Sequence, residues 1–398
     1  MLSILKNENK PLWALNRTQK EDCKKYMLGK LLFYAAFFSF ALKYTLDYSG
    51  LIPVRPEMLN SMLVAASISC SMAKILIQRY TLPRLFFTMA ICVVIGYSSL
   101  VSTNNNFLMG FLLIVGMQDI KLESVIKAAL FVKVLSMFVH VVSYIFVFFT
   151  NPEAIVFVFR AGVGIPRHFF FMGHANTFMA FLFWSCLDYI YLRYKKINVL
   201  DMAAIWIIIL LFYTFTLSNT SIITLTIITV LIFLDKAGKV LFDKLLTVLA
   251  KYSYLLFSIL FTILVVIFIY LDGPLLDFWH TLNTALTGRL WLGAHAYHTL
   301  GPTILGRPDI APTLVFWHGR WFNTMTVFDN HYIGNLVSYG IINLVLTSVV
   351  FIVFCSKLEN REKLIIIAFS FFAIMQNDVT NLIVCSGLFI VGKYLYRR

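Results

Sequence analysis

The chain has 398 residues, of which 60% are apolar and only 13% charged, and its mean hydropathy is +0.82. These values exclude an ordinary water-soluble domain and place the chain among helical integral membrane proteins. The net charge of +14 lies in short runs between apolar stretches, as membrane topology requires, so nucleic-acid binding is a poor reading of it.

A hydrocarbon core of about 30 Å calls for roughly 20 apolar residues per helix. On that basis spans are expected near 31–48, 58–77, 85–101, 106–118, 124–149, 169–191, 199–215, 217–234, 252–271, 330–354, 362–376 and 379–395, about twelve transmembrane helices in an all-α fold. The fourth is short and follows Asn104, Asn105 and Asn106. Charge argues for keeping it. With twelve spans the basic tail 1–30, the turn with Arg79 and Arg84, the Arg193–Lys196 run, the Lys236–Lys251 linker, the Lys357–Lys363 loop and Arg397-Arg398 all fall on one side. The positive-inside rule makes that side, and both termini, cytoplasmic. The first apolar run follows a long basic tail with no small-residue cleavage pattern, so it is expected to stay as a helix.

The domain organisation follows. Residues 1–30 form a cytoplasmic tail, 31–271 carry helices one to nine with an outer loop at 150–168, 272–329 form a large outer loop, and 330–398 hold the last three helices. The outward segments contain no Lys and only Arg, at Arg55, Arg160, Arg167, Arg289, Arg307 and Arg320. The large loop is far longer than a helix connection needs and holds four of the seven Trp, and five of the eight His lie from His280 to His331, so it is expected to fold over the outer face as short amphipathic helices, for instance 281–300. Internal repeats are not evident, which weakens a transporter built on inverted repeats. The six cysteines, Cys23, Cys70, Cys92, Cys186, Cys355 and Cys385, are spaced like neither a disulfide framework nor a metal site.

Several side chains stand out. Arg160 and Arg167 flank Gly162, Gly164 and Pro166 just before Gly173-His174-Ala175-Asn176. A helix from Arg167 would set Arg167, Phe171 and His174 on one face. The alternative is an Arg that snorkels to the interface and a His bonded within the core. Arg289 lies in Thr287-Gly288-Arg289-Leu290-Trp291 and Arg307 in Leu305-Gly306-Arg307. Guanidinium suits phosphate because its fork donates in parallel and stays charged, although loops beside lipid head groups also carry Arg and Trp as anchors.

Asp329-Asn330-His331-Tyr332 opens the tenth span. Asp329 is a candidate general base, with Asn330 or His331 orienting an acceptor hydroxyl; equally, Asp329 is a helix N-cap. Both Asp329 and His331 can act on one substrate only if the helix starts after them. His295 and His298 have no third ligand nearby, so zinc is not expected, and no carboxylate cluster suits a hard cation. Within the fifth span Lys133 and His140 share a face; Lys133 is expected to snorkel inward, His140 to bond a neighbouring helix, and Asp188 to pair with Arg193 or Lys195.

Taken in order, Arg167 with Gly173-His174-Ala175-Asn176, Thr287-Gly288-Arg289 with Trp291, Leu305-Gly306, Asp329-Asn330-His331-Tyr332 and Gly340 resemble the O-antigen polymerase and ligase superfamily, most closely the repeat-unit polymerases of capsular and exopolysaccharide clusters. The resemblance implies a GT-C-like fold with a large outer loop between helices nine and ten. It implies metal-independent, cofactor-free glycan transfer from a polyprenyl-diphosphate carrier at the outer face of a bacterial cytoplasmic membrane, alongside a flippase and a chain-length regulator. Arg167 and Arg289 would then stabilise the diphosphate, Asp329 or His331 would serve the acceptor hydroxyl, and Arg160, His174, Asn176, Trp291, Arg307, Asn330 and Tyr332 would line the substrate site. Ala175 stands where related polymerases often have Pro. Asp329 stands where ligases often have His, which favours polymerase over ligase and leaves the base open. A flippase is the third reading; it would need basic residues along the membrane interior rather than outside the spans.

Overall fold

The computed structural model describes residues 17–52, 57–102, 105–159, 164–238, 240–270, 275–308, 314–317, 320–323, 330–376 and 381–396. Nine helices come first: α1 (Arg17–Tyr48), α2 (Glu57–Leu76), α3 (Leu82–Val101), α4 (Asn105–Val115), α5 (Leu122–Thr150), α6 (Ala175–Arg193), α7 (Val199–Thr216), α8 (Asn219–Lys236) and α9 (Val240–Tyr270). The loop before α6 holds a small antiparallel hairpin, β1 (Val158–Phe159) and β2 (Pro166–Arg167). The long loop after α9 folds as α10 (Leu275–Ala285), α11 (Arg289–Leu300) and a second hairpin, β3 (Leu314–Trp317) with β4 (Arg320–Asn323). Then come α12 (His331–Gly334), a π-helical turn over Asn335–Tyr339, α13 (Ile341–Phe354), α14 (Asn360–Ala373), a 3-10 turn at Ser386–Phe389 and α15 (Ile390–Leu395).

Among the described residues seven helices, α1, α2, α3, α5, α7, α8 and α9, are long and apolar enough to cross a membrane. Their outward faces carry large apolar side chains such as Phe131, Phe138 and Phe146 on α5 and Leu200, Ile207 and Leu211 on α7. In water such faces would be a liability, whereas lipid solvates them. Helices α6 and α14 are different: they are buried almost all round, with Trp184, Phe183 and Phe372 stacked between them. These two form the centre of a helical membrane protein.

The two ends of the bundle are distinguished by their contacts. At the lysine-rich end, Arg79 meets Asp22 at 2.6 Å, Arg361 meets Glu123 at 3.0 Å and Asn360 reaches both Asp235 and Asp243 at 2.7 Å. At the opposite end, here the loop end, Gly50 N donates to Phe171 O, His168 N to Phe215 O and Ser98 Oγ to Tyr339 O.

Five local expectations are corrected. The sixth span starts at Ala175, not 169, because Phe170, Phe171 and Gly173 have φ of 48°, 57° and 69°, a left-handed run that no helix accommodates. Arg167 sits in β2, so it shares no helical face with Phe171 and His174. Short helices do form in the long loop, but the range 281–300 given for one of them is divided between two, broken where Thr287 and Gly288 take φ of 55° and 84°. The twelfth span, expected from 379, is helical only from Ser386, and α14 ends at Ala373. Lys133, expected to snorkel inward, and Asp188, expected to pair with Arg193 or Lys195, pair with each other at 2.7 Å. His140 does bond beyond its own helix, to Ser49 Oγ at 2.9 Å.

Candidate functional site

The loop end gathers the ends of several helices, and helix ends carry unsatisfied backbone groups. α7 stops at Thr216 with Leu217 in the left-handed region, and α8 restarts two residues later. The carbonyl this exposes on Thr216 accepts from Arg167 Nε at 2.6 Å, while Arg167 Nη2 donates to Asn176 Oδ1 at 2.7 Å. Asn176 lies in the first turn of α6, whose N-cap is His174: its Nδ1 accepts from Asn176 N at 3.1 Å. Arg167, His174 and Asn176 therefore form one cluster, though by a strand-to-helix turn and not by helical spacing.

A second cluster forms at the end of α14. Gly288, at φ 84°, turns the chain so that Arg289 begins α11 with its side chain only 6% exposed. Arg289 donates through Nε and Nη2 to Met375 O at 3.1 and 2.9 Å and through Nη1 to Leu286 O at 3.3 Å. Asn330 Nδ2 donates to the adjacent carbonyl of Ile374 at 2.8 Å. Arg289 and Asn330 thus converge on the C-terminal end of one helix, where the macrodipole favours positive charge. Thr220 on α8 reaches Met375 Sδ at 3.5 Å. The chain of contacts from Arg167 through Thr216, α8 and Met375 to Arg289 places both arginine clusters in one layer.

Asn330 is the N-cap of α12, its Oδ1 accepting from Ile333 N at 3.1 Å. The cap expected at Asp329 therefore falls one residue later, at Asn330, and the helix begins at His331, so it does not start after both Asp329 and His331. Asp329 and Arg160 themselves lie outside the described residues, as do Arg55 and the side chain of Arg320. His331 is 1% exposed and turns inward, its Nε2 3.1 Å from Tyr254 OH. Tyr332 is fully enclosed, donates to Ser370 O at 2.7 Å and packs against Tyr254 and Phe261. Trp291 is half-buried and stacks on His295, with ring centroids 5.7 Å apart and planes 5° apart; burial, with His298 nearby, holds the His295 pKa below the usual imidazole value.

Arg307 anchors a third piece. Its Nε and Nη2 donate to Val337 O at 3.2 Å and Gly301 O at 2.9 Å, and burial lowers its pKa. Around it residues 303–307 clasp the π-helical turn through Thr303 N to Leu336 O, Arg307 N to Ser338 O and Ile341 N to Thr303 O. The glycines are required here. A Cβ on Gly340 would stand 2.3 Å from Ile304 O, one on Gly306 2.8 Å from Ser338 O, and both residues have positive φ.

Beneath this layer lies an apolar cavity of about 150 Å³ between α3, α4, α13, α14 and α15. Phe87, Phe107, Phe111, Val350 and Leu382 form much of its wall, and His331 and Asn335 join it from the loop-end side. Asn335 Nδ2 reaches Tyr254 OH at 3.4 Å, so Tyr254 bridges the two. Sequence reasoning did not find Tyr254, which lies inside a long apolar helix, or the carbonyls of Thr216, Ile374 and Met375, because backbone acceptors leave no residue-type signature. Among the described residues no three His, Cys, Asp or Glu side chains gather as a metal site. No family model, curated protein or solved structure matches the chain.

Proposed function

We propose that this protein is a polysaccharide polymerase that transfers a glycan from a polyprenyl-diphosphate carrier onto a lipid-linked repeat unit at the outer face of a bacterial cytoplasmic membrane. The observation that carries the reading is the junction at His331. One residue away, Asn330 and Arg289 organise a polar layer at the end of α14, and on its other side His331 borders an apolar cavity. A lipid-linked diphosphate has the same two-part chemistry, a charged head and a hydrocarbon tail.

The topology that goes with this reading has twelve crossings with both termini cytoplasmic, the shorter helices α4, α13, α14 and α15 and the buried α6 supplying the remainder. The separation of the Arg361–Glu123 and Arg79–Asp22 pairs from the Arg167 and Arg289 clusters supports it. Cleavage of the bond from anomeric carbon to phosphate develops charge on a diphosphate leaving group. Guanidiniums fixed beforehand in a water-poor layer stabilise that charge without reorganising. Arg167 and Arg289 are the residues assigned to this task, exchanging helix-end carbonyls for phosphate oxygens, with Arg307 holding the clasp that closes over Gly340. Asp329 or His331 serves the acceptor hydroxyl, and Trp291, half-buried in the outer loop, is the aromatic assigned to stack on a sugar.

The test is incubation of the protein in nanodiscs with its lipid-diphosphate-linked repeat unit, with products resolved on a gel. A ladder of longer glycans supports a polymerase. Movement of the glycan to a different lipid or protein acceptor makes the protein a ligase. Folded protein that does neither sinks the transfer reading and sends the protein to a flipping assay.

A further inference from the structure

The most deeply buried ion pair among the described residues has no part in the transfer chemistry above. Lys133 on α5 and Asp188 on α6 meet at 2.7 Å, with side chains 0% and 2% exposed. Ser386 donates its hydroxyl to the same carboxylate, at 2.6 and 2.7 Å from its two oxygens, and Lys133 also donates to the carbonyl of Val384 at 2.9 Å. Val384 and Ser386 belong to the stretch Leu382–Phe389, which joins α14 to α15 and has no α-helix in it. Non-helical backbone at membrane depth persists only where protein groups satisfy it. Here the ammonium on α5 does so.

The same stretch is held on its other side. A Cβ on Gly387 would stand 2.3 Å from Ile365 Cγ2, so the turn is pressed against α14. Leu382 and Leu388 face the apolar cavity together with His331 and Asn335. One short segment therefore has the ion pair at its back and the cavity at its front. As a source of stability a buried ion pair is poor, since apolar residues of similar size often do as well. Apolar side chains cannot donate to Val384 O or accept from Ser386.

We propose that Lys133 and Asp188 are positioning residues: they clamp the Leu382–Phe389 stretch to α5 and α6 and so fix the wall of the cavity beside His331. The clamp itself is independent of what the cavity takes, whereas its kinetic consequence rests on the lipid-sugar reading. Cys385, 0% exposed and inside the stretch, is a native reporter.

In protein whose other five cysteines are replaced by Ala, held in nanodiscs, a membrane-permeant maleimide is expected to leave Cys385 unlabelled. Lys133→Met with Asp188→Leu keeps the interior neutral, and Cys385 is then expected to label on the order of tenfold faster as the stretch opens locally. In the transfer assay the double variant is expected to raise KM for the lipid-linked substrate about tenfold with kcat within about twofold, the pattern of lost uniform binding. Mere loss of folded protein would lower apparent kcat and leave KM alone. Wild-type protection of Cys385 with wild-type KM overturns the proposal.

Should the double variant fail to fold, Ser386→Ala keeps both charges and removes only one tie; labelling about threefold faster is expected, and unchanged labelling and KM overturn the clamp. If the wild type transfers no glycan to any acceptor, the transfer reading fails while Cys385 labelling still decides the clamp.

Discussion

At the lysine-rich end Arg361 meets Glu123 and Glu359 at 3.0 and 2.8 Å and Lys393 meets Glu362 at 2.6 Å, each a cation beside a carboxylate. At the loop end Arg167, Arg289 and Arg307 give N–H groups to the carbonyls of Thr216, Met375, Leu286, Val337 and Gly301. Carboxylate pairs fix helix ends to one another and leave little for a ligand to displace. Helix-end carbonyls hold a guanidinium in place through neutral oxygens, which an anion can replace. Between the two, Lys133 and Asp188 follow the pairing rule of the lysine-rich end at a depth where the alternative is a bare charge in hydrocarbon.

The sharpest way to break this comparison is to leave a charge without its partner. Asp188→Leu alone strands Lys133 in the interior and is expected to cost about 3–5 kcal/mol, seen as loss of monodisperse protein after extraction; adding Lys133→Met should restore it. At the loop end Arg289→Lys keeps the charge and loses the fork. It is expected to leave a folded protein whose turnover falls on the order of a hundredfold, read from initial rates of chain extension.

The lysine-rich end should be far more tolerant. Arg361→Met removes two ion pairs whose carboxylates are nearly half exposed, so a change of about 1 kcal/mol or less is expected in thermal unfolding, with turnover unchanged. The smallest effect concerns pH. Burial holds the His168 pKa below its ordinary value, and its Nδ1 faces Tyr144 OH. The folded state then binds fewer protons than the unfolded state, so this contribution to stability is complete above about pH 6.5 and is lost as pH falls through the lower folded value. A modest drop in Tm from pH 7.5 to 5.5, reduced in His168→Phe, is the expected result.

Hydropathy made the long helices legible because α5, α7 and α9 face lipid along much of their length, and lipid reads composition. It was uninformative at the end of the chain. The last span was expected from 379, yet Val384 and Ser386 are held by Lys133 and Asp188 within Leu382–Phe389, a stretch that forms no α-helix. Gly288, Gly306 and Gly340 were visible only as members of the resemblance motifs; their positive φ, and the backbone oxygens that crowd Gly306 and Gly340, come from the structure. Helical spacing predicted that Arg167 would share a face with Phe171 and His174; Arg167 lies in a hairpin strand instead and reaches Asn176, two residues beyond His174. Lys133 and Asp188 were both visible as intramembrane charges of opposite sign. What hid their pairing is that sequence separation carries no information about contacts between helices.

On the proposed function, the arginines of the loop end are assigned to a phosphate leaving group and those of the lysine-rich end to the fold alone. The most direct measurement compares initial rates of glycan transfer by wild type, Arg289→Lys and Arg361→Met in the same nanodiscs with the same lipid-diphosphate-linked substrate. The account predicts wild-type rates in Arg361→Met and a fall on the order of a hundredfold in folded Arg289→Lys. Equal rates in all three proteins would contradict it.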